Sequence, residues 1–466
     1  MKFKRHNNLF SNYLVIAFLV YTLFSCAKNT TETYEIDFSR LYAGGETTVF
    51  DQSSHAYSTP APNLGLSNFN THLDGDFDFE QFFVTAPANV NQGLGPLFNN
   101  NSCIACHPRD GRAPHPNDLN NFTGLFLRSS IPGTDAFGGP NPVPGFGDQI
   151  QQNSVYGTQA EADFDVTYIE TTVTFDDGNS VTLRKPIYNL INTYIPLPSQ
   201  VMLSPRVGPP VYGLGLLEAI PESDLVELAD EYDNNDDGIS GKPNYVWDFE
   251  SSSLKIGRFG WKGINPSVIQ QCAGAYNGDM GVTTPYFPIE STYGQINHID
   301  TVSIHPEVDQ QTLEDVAFYC RTLGVPAPRN IDDINVINGE KIFNEINCSK
   351  CHVSKHETGL FPGIPEISNQ TIYPYTDLLL HDMGFGLADD RPSFDANGQE
   401  WKTRPLWGIG LSEVVNGHTH FLHDGRARNL TEAILWHGGE AAGSVSRFKS
   451  LSEIERAQLL AFLKSL

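Results

Sequence analysis

Cys103-Ile104-Ala105-Cys106-His107 and Cys348-Ser349-Lys350-Cys351-His352 are two copies of one pattern, Cys-x-x-Cys-His. In this pattern two thiols add to the vinyl groups of a haem, and the adjacent imidazole takes an axial position on its iron. The spacing is tight because one short turn must carry both thioethers and aim the histidine at the metal. A zinc site would need the two Cys pairs close together, whereas most of the chain separates them. A dithiol redox pair has no use for the trailing His. The pattern therefore predicts two covalent c-type haems. Cys103 and Cys106 would hold the first with His107 axial, and Cys348 and Cys351 the second with His352 axial.

The sequence around the two motifs also repeats. Phe98-Asn99 and Phe343-Asn344 stand at the same distance before their motifs, and Pro210-Val211-Tyr212-Gly213-Leu214-Gly215-Leu216-Leu217-Glu218 recurs as Pro405-Leu406-Trp407-Gly408-Ile409-Gly410-Leu411-Ser412-Glu413. Each half closes on a stretch with helical apolar spacing, residues 313–323 and 451–466. The expected fold is mainly α, with two cytochrome c-like haem domains at residues 76–330 and 331–466. Loop and β-hairpin insertions enlarge the first. The hairpin is read from β-branched alternation in residues 166–175 and 180–188 around the turn Asp176-Asp177-Gly178-Asn179.

Of 466 residues, 29 are Lys or Arg and 55 are Asp or Glu, a formal net charge of −26. A phosphate surface would repel such a chain, which argues against nucleic-acid partners. Hydrophobic residues at 39% supply real cores and exclude general disorder. At the N-terminus, Lys2, Lys4 and Arg5 precede an apolar run over residues 13–24 that is too short to span a bilayer. It ends in Leu23-Phe24-Ser25-Cys26, which resembles a bacterial lipobox. The expectation is a lipoprotein signal peptide at 1–25 and a lipid anchor on Cys26, with a tether and N-terminal extension over 26–75. The protein would then be extracytoplasmic, in the periplasm or cell envelope, and would touch membrane through the lipid alone.

Asp233-Asn234-Asn235-Asp236-Asp237-Gly238 sets oxygen side chains at positions one, three and five and Gly at six, the first half of an EF-hand loop. Asp233, Asn235 and Asp237 are candidate calcium ligands. Asn244 stands at position twelve instead of the bidentate Glu, so a plain acidic turn is the alternative. Cys272 and Cys320 are left over, either as a disulfide or as two buried thiols.

Arg404-Pro405-Leu406-Trp407-Gly408, Phe421-Leu422-His423-Asp424-Gly425-Arg426-Ala427 and Glu432-Ala433-Ile434-Leu435-Trp436-His437-Gly438-Gly439-Glu440-Ala441 resemble the di-haem oxidoreductase family. That family is similar to bacterial di-haem cytochrome c peroxidases and methylamine-utilisation di-haem enzymes. The resemblance covers most of the chain after about residue 75. It implies a peroxidase-like oxidoreductase with one reactive open haem and one six-coordinate relay haem, served by a small cytochrome or cupredoxin. The alternative is a di-haem electron carrier without chemistry of its own. The resemblance favours His437 as second ligand of haem 2, with Met383 as rival. It also suggests Arg206 and Glu218 as acid–base groups near haem 1, and Trp261 as a relay between the haems. His115, between two prolines, reads as a loop histidine. After residues 213–218 the first half runs into Ala219-Ile220-Pro221 without a His or Met, so haem 1 would be open opposite His107.

Overall fold

The helices around the two haem motifs are α1 (Leu66–Glu80), α2 (Val268–Met280), α3 (Gln310–Thr322), α4 (Ile334–Glu345), α5 (Leu430–Trp436) and α6 (Glu453–Ser465). Each of α2 to α6 starts at a side-chain cap: Ser267, Asp309, Asp333, Asn429 and Ser452, the last in a capping box with Glu455. Helix α1 crosses α3, and α4 crosses α6, in one and the same way. A Cβ on Gly75 would strike the carbonyl of Asp315 and stand 2.8 Å from Tyr319 Cβ. A Cβ on Gly339 would strike the carbonyl of Gln458 and stand 2.8 Å from Phe462 Cβ. Glycine is needed at both crossings because the two backbones touch.

The computed structural model describes residues 37–116, 124–299 and 306–466. The expected signal peptide and Cys26 lie outside the described residues. Among the described residues no helix is long and apolar enough to cross a membrane. Residues Phe38–Leu466 form one compact unit. The segment before α1 is packed into it: Thr48–Val49 pairs in parallel with Val325–Pro326, and Tyr57 Oη donates to the Gly408 carbonyl at 2.6 Å.

A mainly α, cytochrome c-like architecture does not describe this molecule. Helix makes up 31% and strand 20%, the strands spread over many small sheets. The first half's insertion is sheet. Strand β1 (Leu125–Thr134) pairs antiparallel with β4 (Met202–Val207), while β2 (Asp163–Thr174) and β3 (Ser180–Ile191) form a long two-stranded hairpin. The β-branched alternation of the hairpin, and the 41 Gly and 30 Pro of the chain, work against helix. The hairpin tip reaches the second half. Phe175 and Leu183 are buried with Phe448 and Leu459, and Asp177 is ion-paired with Arg456.

Phe98 is also not the counterpart of Phe343. It lies in a two-residue strand, whereas Phe343 is on α4. The true counterpart is Phe79 on α1. Phe79 stands 6.3 Å from the His107 ring and 5.2 Å from Tyr319, and Phe343 stands 6.3 Å from the His352 ring and 5.3 Å from Phe462.

Candidate functional site

The first Cys-x-x-Cys-His begins as one helical turn, Cys103–Cys106, capped by Ser102, whose Oγ accepts the Ala105 amide at 3.3 Å. His107 then donates from Nδ1 to the Pro209 carbonyl at 2.7 Å, and His352 donates from Nδ1 to the Tyr375 carbonyl at 2.9 Å. A carbonyl can only accept, so both imidazoles are set in the tautomer whose Nε2 lone pair is free for a metal. Burial lowers both pKa values to about 4, which keeps the rings neutral at physiological pH.

Each motif opens on its own cleft. The first has a volume of about 1150 Å³ and the second about 1460 Å³, mouths included. The second contains His352, Met383 and His437. His437 closes α5 and donates from Nδ1 to the Ala433 carbonyl at 2.7 Å, so its Nε2 is free as well.

Helix α2 stands to the first cleft as α5 stands to the second. An antiparallel bridge joins Phe259 to Asn265 before α2, and the corresponding bridge joins Phe421 to Ala427 before α5. Counted from the caps Ser267 and Asn429, the residues facing the clefts fall in step. Val268, Gln271, Cys272 and Ala275 line the first where Leu430, Ala433, Ile434 and His437 line the second. Ahead of the caps, Trp261 matches His423. Ala275 therefore occupies the position of His437, and the first cleft has no imidazole there.

A family model described as "Di-haem oxidoreductase, putative peroxidase" matches residues 39–466. The chain belongs to this family. Searches of curated proteins and of solved structures each returned no match.

The residues present suit two haems of a di-haem oxidoreductase. Arg112, Arg404 and Lys402 line the clefts or the polar space between them. Among the described residues no carboxylate lies within ion-pairing distance of any of the three. Burial lowers Arg112 to about 9, Arg404 to about 10, and Lys402 well below its usual value. Buried cations without counter-charge are costly, and the propionates of a haem would neutralise them.

Trp261 lines both clefts. Its Nε1 donates to the Val207 carbonyl at 2.8 Å, and the Arg112 and Arg404 guanidinium carbons stand 5.2 and 5.1 Å from its ring. Arg206 lines the first cleft and is held by Ser204, with Nη2 lacking a hydrogen bond and Asp389 3.9 Å away. Glu218 does not join it there. Its carboxylate pairs with Arg321 at 2.6 Å and accepts the Val268 amide at 2.9 Å, anchoring the start of α2. His115 uses both nitrogens, on the Asp424 carbonyl and Tyr168 Oη, and lines neither of these clefts. Cys272 and Cys320 are free thiols that both line the first cleft. In the acidic loop, the Asp233 carboxylate accepts the amides of Asp237 and Gly238, Asn235 also accepts the Asp237 amide, and Asp237 pairs with Lys350 of the second motif at 3.1 Å. Asn244 is turned away, with its amide on the carbonyls of Lys262 and Ser393.

Sequence reasoning missed Gln271, Asn265 and Ala275. Gln271 Oε1 accepts from Asn265 Nδ2 at 2.9 Å, which leaves the amide nitrogen of this cleft-lining residue available to donate. The second half has Ala433 and Ala427 at these positions. Matching residues 259–267 with 421–429 would have found all three, but only Phe and one Gly are shared between those stretches. Met280 also lines the first cleft and was missed. So was His381, buried beside Cys351 and clasped by Asp377 at 2.8 Å and Glu440 at 2.7 Å.

Proposed function

We propose that this chain is an extracytoplasmic, peroxidase-like di-haem c-type oxidoreductase, with haem 1 open opposite His107 and haem 2 six-coordinate through His352 and His437. One observation carries the reading: Ala275 stands in step with His437, so the first cleft presents no imidazole at the place where the second does. Bound in these clefts, two haems would supply one-electron chemistry twice over, which matches the two electrons that reduction of a peroxide to water requires.

Cys103 and Cys106 would hold haem 1 and Cys348 and Cys351 haem 2 as thioethers, and His107 and His352, each with Nδ1 held by a carbonyl, would offer Nε2 to the irons. The Gln271 amide, oriented by Asn265, donates a hydrogen bond to the substrate oxygen. Arg206 adds positive charge where negative charge develops. Arg112, Arg404 and Lys402 balance the propionates, and Trp261 relays electrons between the clefts. Cys26 carries the lipid anchor, and a small cytochrome or cupredoxin delivers electrons. Calcium at Asp233, Asn235 and Asp237 would stiffen the loop against Lys350.

Met280 favours a second reading. As sixth ligand of haem 1 it would make the protein an electron carrier. Electron paramagnetic resonance of the ferric holoprotein separates the two. One high-spin and one low-spin haem, with the high-spin signal responding to peroxide, is the expected result. Two low-spin haems inert to peroxide would establish the carrier. Mass spectrometry of the mature chain should add two covalent haems and an acylated Cys26.

A further inference from the structure

Cys272 and Cys320 take no part in haem attachment, yet they lie in the same cleft as Cys103, Cys106 and His107. They reach it from two different helices, α2 and α3, with Cys272 packed against the apolar cluster that contains Cys320. Cys272 and Cys320 therefore share one lining with the two sulfurs that would hold haem 1. The matching positions of the second cleft are apolar. Ile434 corresponds to Cys272 in step with the caps of α2 and α5. Leu463 corresponds to Cys320 in step with the caps of α3 and α6, and both line the second cleft. The two thiols thus replace a packed apolar pair in the cleft that also lost its second imidazole. Packing alone would be met by any small hydrophobe and does not require sulfur at both positions.

We infer that Cys272 and Cys320 are a redox-active dithiol that donates two electrons through haem 1. The inference rests on the peroxidase reading of that haem. The balanced step is two thiols plus hydrogen peroxide giving one disulfide and two waters. The two S–H bonds and the peroxide O–O bond break, and one S–S bond and two O–H bonds form. The two thiol electrons reduce the peroxide, and the two thiol protons leave in the waters. The pair is matched to the chemistry because peroxide needs two electrons and two thiols yield two on forming a disulfide. It lets the protein discharge one peroxide when no donor protein is docked, and it protects haem 1 and Trp261 from the unspent oxidising equivalents.

The test uses ferric holoprotein treated with a phosphine and desalted, then given one equivalent of hydrogen peroxide. Cys272 and Cys320 are counted by alkylation and peptide mass spectrometry, and the haem spectrum is recorded separately. Two labels before peroxide and none after, with a Cys272–Cys320 cross-linked peptide, is the expected result. Cyanide on the open haem should preserve both labels. A spectral response to peroxide with both labels retained overturns the dithiol and leaves the peroxidase reading standing. No spectral response and no label loss overturns both. Label loss that cyanide does not prevent overturns the inference, since the peroxide would then attack the thiols directly. Failure of the phosphine to expose two labels also overturns it, as the mark of a permanent structural bond. In a Cys272→Ala, Cys320→Ala variant carrying both haems, the peroxide-induced spectral change should decay several-fold more slowly. Decay at the unaltered rate counts against the pair.

Discussion

Ala275 and His437 are where a single side chain separates the two clefts. Both follow a capped helix start, and both face a cleft that opens on a neutral, tautomer-fixed histidine. Exchanging them should exchange their properties. Ala275→His is expected to convert haem 1 to a low-spin, six-coordinate state and to abolish its response to peroxide. His437→Ala is expected to remove the low-spin signal of haem 2, and Met383→Leu to leave it in place. Optical and paramagnetic spectra of the three holoproteins check this. If Met383→Leu abolishes the low-spin signal and His437→Ala does not, the ligand is Met383. Glu218 shows the opposite situation. It has the chemistry of an acid–base group, but its carboxylate is spent on Arg321 and the start of α2. Side-chain type was readable at this scale. Direction was not, because direction depends on neighbours far away in the chain.

The helix crossings make sharper demands than propensity does. Alanine in place of a mid-helix glycine ordinarily stabilises by about 1 kcal/mol. At Gly339 the added methyl would meet the Gln458 carbonyl, and at Gly75 that of Asp315. Gly339→Ala should therefore destabilise by about 1–3 kcal/mol, the usual cost of overpacking, read as a lower denaturation midpoint of the holoprotein. A gain in stability would mean the backbones do not touch. The α1–α3 contact also carries a pH dependence. His72 is 1% exposed, its Nδ1 is 2.8 Å from Thr322 Oγ1, and burial lowers its pKa from 6.5 to about 4. Between those values the unfolded chain binds the proton and the folded one does not. Stability is thus fully present above pH 6.5 and falls as the pH drops toward 4. His72 accounts for up to about 3 kcal/mol of that loss. Unfolding measured across this range should show a shallower decline for His72→Gln than for the parent protein.

Across the whole molecule, the insertion of the first half binds the second. Phe175 at the hairpin tip is buried against Phe448 with Arg456 over its ring, so the two haem halves are fastened by a segment that belongs to only one of them. Trp261 is shared in the same way, as the one indole that lines both clefts among the described residues. Trp261→Phe should retain both haems and their spin states, yet slow electron transfer between them at least tenfold in stopped-flow reduction. An unchanged rate would reduce Trp261 to packing between Arg112 and Arg404.

The sequence by itself determined the family, the hairpin and the two Cys-x-x-Cys-His motifs on which the proposed haem attachments rest, because each is written in contiguous residues. A Cys-x-x-Cys-His turn works through covalent and backbone geometry that spans five positions. Only the tertiary structure decided the rest. Insertions shift the register between the halves, so Phe343 matched Phe98 on spacing whereas its packing partner role belongs to Phe79. For the same reason, the place matching His437 was sought after Glu218 but lies at Ala275, beyond the inserted segments and on another helix. Strand content exceeded expectation because short helices around each cleft leave long connections that fold as small sheets. Which side chains share a cleft is settled by how helices cross, and a crossing depends on residues that the chain brings together only when folded.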